Sequence, residues 1–301
     1  MRWRKAVELL KLCNTPASII SPFPLLAISL FLISRNSYIS DLPILFAGIG
    51  ISLLSNSGSN LWNHCNDVKE DTAQGKKTVL TQNILMQKTA VFIAILLYAF
   101  SLLFVFYLSM KLDRPIYIFF SIWVLATWWY SDNLILKNLI GFRLKDNYIG
   151  EFITYSTAWP MYILSIWLIY SDLNIKGVLI SAAFFFFSIA GVMLKDLKDI
   201  AGDRKAGLKT FGVVYLPSEL IRYSCHVMVL YFIVMLNPLT LDFFGKGILI
   251  VMLPFIYFLK NTFVHMSRKN WILDTGDLKA LKGIGYSFYM SVIFLGLSAL
   301  I

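Results

Sequence analysis

The chain has 301 residues, of which 58% are hydrophobic and only 15% are charged. A soluble domain is on average about half apolar and about a quarter charged, so this composition, with a mean hydropathy of +0.69, excludes a disordered chain, a coiled coil and a water-soluble domain. The net charge of +10 would suit a nucleic-acid partner only if the basic residues formed one soluble patch. The sequence therefore indicates a protein embedded in a lipid bilayer.

Nine stretches are long and apolar enough to cross the hydrocarbon core, which requires about 20 residues of helix. Their apolar runs are continuous rather than alternating, which favours helices over the strands of a barrel. We predict an all-α polytopic membrane protein with about nine transmembrane helices, folded as a single domain over residues 1–301. The predicted spans are 17–34, 42–61, 89–110, 115–132, 150–171, 177–195, 223–240, 243–260 and 283–301.

Basic residues concentrate at the N-terminus and in the loops that follow the even-numbered spans. Cytoplasmic loops are enriched in Lys and Arg. This distribution therefore predicts a multi-pass protein of the cell membrane whose N-terminus, and the loops that follow the even-numbered spans, are cytoplasmic. The basic charge is then explained by orientation, and a nucleic-acid partner is excluded. The remaining loops hold only Arg35, Lys111, Arg114, Lys176 and Lys246.

Two loops on the predicted cytoplasmic side share the pattern D-x-x-x-D-x-x-x-G-x-K-T. One copy starts at Asp67, after span two, and the other starts at Asp199, after span six. Both copies follow an even-numbered span at the same membrane face. This indicates an internal duplication of a four-helix unit, with a ninth helix appended.

Each of these loops spaces its oxygen-bearing side chains so that they would form one stripe on a continuing helix. Two facing stripes of carboxylates would repel each other unless a cation neutralised them. Mg²⁺ suits this role, because it takes oxygen ligands and bridges carboxylates to phosphate oxygens. Basic side chains in the same loops would bind the phosphate oxygens that remain free. The first stripe is Asn63, Asp67 and Asp71, and the second is Asp196, Asp199 and Asp203.

These motifs resemble those of the UbiA superfamily of intramembrane prenyltransferases. The family's N-x-x-x-D-x-x-x-D motif is matched by Asn63, Asp67 and Asp71, and its D-x-x-x-D motif is matched by Asp199 and Asp203. The resemblance implies a UbiA-like arrangement of helices around a central cavity. It also implies that an isoprenyl diphosphate such as geranylgeranyl diphosphate lies there, with its head group on two Mg²⁺ ions.

The resemblance implies ionisation of the allylic diphosphate, followed by attack of an electron-rich acceptor on the allylic carbon. Metal ions and basic side chains would neutralise the charge that grows on the leaving diphosphate. The implied catalytic and metal-binding residues are Asp67, Asp71, Asp199 and Asp203, with Asn63 and Asp196 as further ligands.

Cations and polar groups outside the two motifs complete the implied site. Tyr130 would stabilise the carbocation or touch the acceptor, and Asn14 lies at the same membrane interface. Lys137 or Lys145, after span four, would reach the diphosphate from the opposite wall. The implied diphosphate-binding residues are Lys77, Lys137, Lys145, Arg204 and Lys209.

The sequence leaves the acceptor open. Residues 15–22 and 60–63 look like the menaquinone-pathway branch of the family, whereas 130–131 and 144–150 are more similar to the chlorophyll-synthase branch. Our first hypothesis is transfer to an aromatic quinone precursor. The alternatives are a glycerol-phosphate lipid acceptor, a terpene cyclase of the same fold and, from a different class, a transporter of an anionic lipid that binds without cleaving a bond. In every case membrane lipid surrounds the protein.

Overall fold

The computed structural model describes residues 2–14, 22–34, 41–73, 75–197, 199–274 and 277–301. Within these ranges the protein is helical, and the one β-type pairing is an isolated bridge between Asn147 and Lys209. We number the nine principal apolar helices in chain order. They are α1 (Phe23–Ser34), α2 (Leu42–Asn66), α3 (Gln87–Leu112), α4 (Ile116–Ser131), α5 (Tyr148–Tyr170), α6 (Ile175–Lys195), α7 (Pro217–Leu236), α8 (Lys246–Arg268) and α9 (Leu278–Leu297).

The predicted all-α membrane fold is confirmed. Seven helices of the described chain are long and apolar enough to cross a membrane, while α1 and α4 are shorter apolar helices of 12 and 16 residues. Each of the nine coincides with one predicted span. The first predicted span, 17–34, starts among residues outside the described ranges, so the comparison there is limited to its part from Phe23 onward.

Local sequence explains where two central helices begin. Asn147 precedes α5 and accepts a hydrogen bond from the backbone N–H of Gly150 (2.9 Å), and Asn174 precedes α6 and accepts one from Gly177 (3.1 Å). These side chains satisfy backbone donors that the first turn of a helix leaves free. Continuous apolar sequence then extends both helices through the bilayer.

Helix α5 occupies the centre of the molecule. It packs against α4 on one side and α6 on the other, and it also contacts α1 and α2. Its large side chains Tyr162, Trp167 and Tyr170 are almost completely buried. By contrast, α3 exposes large apolar side chains such as Phe92 and Phe106, as expected for a surface that faces lipid rather than water.

Each acidic loop interrupts its helix instead of continuing it. Helix α2 ends at Asn66, and a separate short helix follows over Val68–Ala73. Helix α6 ends at Lys195, and its loop forms a short helix over Ile200–Lys205. In both copies the acidic stripe is therefore bent where the long helix ends. Its acidic side chains turn towards the interior of the protein.

The two acidic loops share their backbone hydrogen bonds as well as their sequence. The N–H of Asp71 donates to the carbonyl of Asp67 (2.8 Å), and the N–H of Asp203 donates to the carbonyl of Asp199 (2.9 Å). A glycine with left-handed backbone follows each short helix, where a side chain would be strained. The two glycines are Gly75, with φ +71°, and Gly207, with φ +73°.

The chain before α1 forms an N-terminal helix over Arg2–Cys13 that the sequence analysis did not predict. Its end is fixed to α2 by polar side chains. Asn60 donates to the carbonyl of Cys13 (2.9 Å), and Asn56 donates to the side-chain oxygen of Asn14 (2.6 Å). Asn14 thus lies beside the polar face of α2.

Candidate active site

One cavity of about 440 Å³ lies between α2, α4, α5 and α6. Both acidic loops contribute to its walls, although they are far apart in the sequence. The structure therefore brings together all the side chains for which a metal-binding role was predicted. These are Asn63, Asp67, Asp71, Asp196, Asp199 and Asp203.

The carboxylates fit a metal that is shared with a bound phosphate. Within the described part of the chain, no three acidic, histidine or cysteine side chains are grouped closely enough to hold an ion alone. Mg²⁺ is usually held by one or two carboxylates together with phosphate oxygens and water, so a complete protein cage is not required. One oxygen of Asp196, Oδ2, is buried without a hydrogen-bond partner among the described residues, which leaves it available to such an ion.

Two cations from the segment after α4 hold Asp67. Arg143 donates to Oδ1 of Asp67 (3.2 Å), and Lys145 donates to Oδ2. Arg143 is completely buried and also donates to Glu70 (2.6 Å) and Asp146 (2.8 Å). Burial opposes the charge of this guanidinium, but the three carboxylates outweigh burial and raise its pKa. Asp67 is therefore fixed by a charged network at one edge of the cavity.

Asp71, one turn further along the first motif, has its own cation. Lys76 donates to Oδ1 of Asp71 (3.0 Å), and Nδ1 of His64 lies 4.0 Å from Oδ2. Burial favours the neutral acid, yet the interactions with His64 and Lys76 lower the pKa of Asp71 below its ordinary value. Asp71 is therefore ionised at neutral pH and able to bind a cation.

Asp203, the matching acid of the second motif, has a different environment. Burial raises the pKa of its carboxyl, and the nearby Asp196 raises it further. The hydroxyl of Thr210 donates to Oδ2 of Asp203 (3.0 Å), which opposes this rise. An incoming metal ion would favour the ionised form of such a carboxyl.

The sequence analysis missed an ion pair beside the second motif, in which Lys195, a residue that lines the cavity, binds the buried carboxylate of Glu151. Lys195 donates to Glu151 (2.5 Å), to the hydroxyl of Tyr130 (2.7 Å) and to Asp196 (2.9 Å). Its ammonium also lies 5.4 Å from the ring centre of Tyr130 and 5.6 Å from that of Tyr155. An acid at the start of one span, with a lysine at the end of another, was the signal that could have revealed this pair.

The other walls of the cavity are largely aromatic. Phe23 stacks on Trp159 with ring centres 5.2 Å apart, and Tyr162 meets Phe23 edge-on at 4.8 Å. Trp123 also lines this region. The cavity thus joins a charged end at the helix termini to an apolar region within the spans, which suits a ligand with an anionic head and a hydrocarbon chain.

The remaining predicted residues are distributed unevenly around the cavity. Lys145 and Tyr130 line it, whereas Asn14 lies behind its polar wall in contact with Asn56. Lys137 pairs with Asp146 instead (3.3 Å). Three predicted cations are exposed and do not line the cavity. Lys76, another of the loop cations expected to bind phosphate oxygens, does line it, and so does Lys195, which was not predicted. The three exposed cations are Lys77, Arg204 and Lys209.

The described chain thus combines an all-helical membrane fold with two aspartate motifs at the charged end of a cavity whose other walls are largely aromatic. The model of the UbiA prenyltransferase family matches residues 22–273, and the chain belongs to this family. The protein is therefore a multi-pass integral membrane prenyltransferase.

Two comparisons extend over nearly the whole chain. An uncharacterized protein of Archaeoglobus fulgidus is 29% identical over 283 residues, which are 93% of this chain and 94% of that protein. A solved structure of a digeranylgeranylglyceryl phosphate synthase in membranes is similar with a TM-score of 0.65 and 19% identity, and the match covers 98% of each chain. The second similarity shows that the fold is shared.

Proposed function

We propose that the protein transfers a prenyl group, in a Mg²⁺-dependent reaction, from an isoprenyl diphosphate such as geranylgeranyl diphosphate to an acceptor inside the membrane. The observation that carries this proposal is the convergence of both aspartate motifs and of Lys76, Lys145 and Lys195 on one cavity with aromatic walls. The charged end suits a diphosphate with its counterions, and the aromatic region suits the prenyl chain.

The proposed reaction breaks the bond between the allylic carbon and the diphosphate oxygen, and the electron pair leaves with the diphosphate. Bound Mg²⁺ would supply charge neutralisation for this leaving group. The cavity lysines would bind the phosphate oxygens and hold the diphosphate in place. The residues proposed to hold the metal are Asp67, Asp71, Asp199 and Asp203, with Asn63 and Asp196 as further oxygen donors.

Tyr130 and Tyr155 are proposed to face the allylic cation. Both rings already lie within cation–π distance of the Lys195 ammonium, so the local arrangement accommodates positive charge against aromatic faces. The acceptor then attacks the allylic carbon, forms the new bond and loses one proton. The aromatic walls exclude water, which would otherwise compete for the cation.

Our first candidate for the acceptor is a hydroxylated aromatic quinone precursor. Carboxylates outnumber lysines along the cavity, so an acceptor without a phosphate adds less negative charge there than a phosphate-bearing one. The side chains of Asn56 and Asn60 provide amide groups on the α2 wall. A glycerol-phosphate lipid is the second candidate, favoured by the shared fold with a digeranylgeranylglyceryl phosphate synthase.

We also propose that the motif end of the cavity faces the cytoplasm of the cell. The distribution of basic residues among the loops supports this orientation, because positively charged loops are retained on the cytoplasmic side. A cytoplasmic site would receive a water-soluble diphosphate head group without moving it across the bilayer.

Product analysis separates the candidates. Purified protein in detergent would receive geranylgeranyl diphosphate, Mg²⁺ and one of three acceptors: dihydroxynaphthoate, 4-hydroxybenzoate or geranylgeranylglyceryl phosphate. We expect mass spectrometry to find a prenylated aromatic product. Prenylation of the glycerol phosphate alone would select the second candidate. A cyclised hydrocarbon formed without acceptor would indicate a cyclase, and saturable binding without diphosphate release would indicate a transporter.

A further inference from the structure

A short segment between α4 and α5 connects the two aspartate motifs. We call residues 143–147 the strap. On the side of the first motif, Arg143 donates to Asp67 (3.2 Å) and to Glu70 (2.6 Å), and it holds Asp146 within the strap itself (2.8 Å). The strap is thereby joined to the first motif through a guanidinium that is completely buried.

The strap reaches the second motif through its backbone. The N–H of Lys209 donates to the carbonyl of Asp146 (3.0 Å), and the N–H of Tyr148, directly after the strap, donates to the carbonyl of Lys209 (2.8 Å). The next residue, Thr210, donates its hydroxyl to Asp203 (3.0 Å). One continuous path of hydrogen bonds therefore runs from Asp67 through the strap to the second motif.

The two cations that bind Asp67 are held very differently. Arg143 is 0% exposed and donates to three carboxylates, so its departure would remove charged hydrogen bonds from all three at once, which is costly. The side chain of Lys145 is 20% exposed and bonds one carboxylate. Its flexible stem and compact ammonium allow it to change partners, whereas the planar guanidinium is matched to a fixed set of oxygens.

We infer that Arg143 is a positioning residue that holds Asp67 at the cavity throughout the reaction, while Lys145 is an exchangeable cation that leaves Oδ2 of Asp67 when the metal and diphosphate bind. This inference rests on the proposed function. A divalent ion on Asp67 repels the ammonium, and the diphosphate oxygens attract it. The same lysine therefore neutralises Asp67 before substrate binds and neutralises the diphosphate afterwards.

Three variants of the full-length protein separate the two roles. Arg143→Lys keeps a positive charge but cannot bond three carboxylates in a planar fork. Lys145→Gln removes the exchangeable charge. Arg114→Lys is the matched control, because Arg114 is also a largely buried arginine, bonded to Asp172 (2.7 Å), and lies at the opposite end of α4.

The first readout is binding of Mn²⁺ alone, followed by electron paramagnetic resonance, and the second is binding of inorganic diphosphate with Mn²⁺. We expect Arg143→Lys to weaken Mn²⁺ binding roughly 10-fold to 100-fold, as loss of a residue that orients a ligand usually does. Lys145→Gln frees Oδ2 of Asp67, so it should tighten the binding of Mn²⁺ alone and weaken the binding of diphosphate. Arg114→Lys should match the wild type in both measurements.

Wild-type Mn²⁺ affinity in Arg143→Lys would overturn the anchoring role. Unchanged or weaker binding of Mn²⁺ alone in Lys145→Gln would overturn the exchange. If Arg143→Lys does not fold, Asp146→Asn is the alternative variant, because it removes one of the three carboxylates that hold the guanidinium. Wild-type Mn²⁺ affinity in Asp146→Asn would also contradict the anchoring role of Arg143. None of these binding measurements requires turnover. A negative result in them is therefore distinguishable from the absence of prenyl transfer by the wild-type enzyme, which would refute the proposed function.

Discussion

Asp71 and Asp203 occupy matching positions in the two motifs, but their surroundings give them different acidities. The hydrogen bond from Lys76 and the nearby imidazole of His64 overcome burial and lower the pKa of Asp71, whereas burial keeps the pKa of Asp203 raised. As the pH falls, the carboxyl with the raised pKa is the first to take up a proton and to lose its capacity for a cation. Of these two carboxyls, we therefore expect protonation of Asp203 to limit the proposed activity first as the pH falls.

The substitution Thr210→Val tests this difference. It keeps the volume of the side chain but removes the hydroxyl that donates to Asp203, a bond that favours the ionised carboxyl. The pKa of Asp203 should rise further, and the acid limb of kcat/KM should move to higher pH by roughly half a unit to one unit. The pH profile of diphosphate release measures the shift.

Thr78→Val is the control for this experiment. Thr78 is the matching residue of the first motif, and its hydroxyl contacts Thr81 rather than an aspartate, so its profile should coincide with that of the wild type. An acid limb that stays in place in Thr210→Val, or that moves equally in both variants, would contradict the assignment to Asp203.

The motif aspartates could be predicted from sequence because their spacing is local and occurs twice. The cations around them could not be predicted with the same success, since their partners come from other parts of the chain. Lys76 and Lys77 are neighbours in sequence, yet the left-handed turn at Gly75 and the bond from the Lys76 N–H to the carbonyl of Asp71 (2.9 Å) direct Lys76 to the cavity. Composition alone does not reveal which of the two lysines lines the cavity.

Between α8 and α9, one carboxylate of the described residues accepts hydrogen bonds from two basic side chains. Asp277 accepts from Nε2 of His265 (2.7 Å) and from the ammonium of Lys269 (2.9 Å). Hydrogen bonds from His265 and Lys269 hold the pKa of this carboxyl well below its usual value. The ionised side chain therefore links the end of α8 to the beginning of α9.

We expect Asp277→Asn to lower the unfolding temperature in detergent at pH 7. A carboxyl whose pKa is depressed in the folded state contributes stability above its unfolded pKa, and this contribution is lost as the pH falls through the folded value. The difference between wild type and variant should therefore shrink as the pH falls below about 4. Asp274→Asn is the control, because its side chain is 69% exposed. A difference that persists unchanged at low pH would contradict the electrostatic explanation.

The helices themselves were largely predictable from apolar runs, whereas their ends were less so. Helix α2 continues to Asn66, beyond the predicted end at residue 61. Its last turns are polar, but Asn63 accepts a hydrogen bond from Ser131 (2.8 Å), and Asn60 donates to the carbonyl of Cys13. Polar residues that find partners inside the protein extend a membrane helix where a hydropathy pattern predicts its end.

At the scale of the whole molecule, the packing of α2 and α6 against the central α5 unites two motifs from distant parts of the sequence. Composition and hydropathy were sufficient to predict the membrane class and the helical fold. They did not predict the N-terminal helix Arg2–Cys13, whose charged residues give no continuous apolar run. The choice of acceptor depends on the shape and chemistry of the assembled cavity, which a linear pattern does not contain.

The central claim is that the two motifs act together on one diphosphate. The most direct test is diphosphate release from geranylgeranyl diphosphate by full-length protein, with and without Mg²⁺, for the wild type, Asp67→Ala and Asp199→Ala. We predict Mg²⁺-dependent release by the wild type and its loss in each variant, with both variants still folded in the membrane. Wild-type release in both variants, or release that does not depend on Mg²⁺, would contradict the claim.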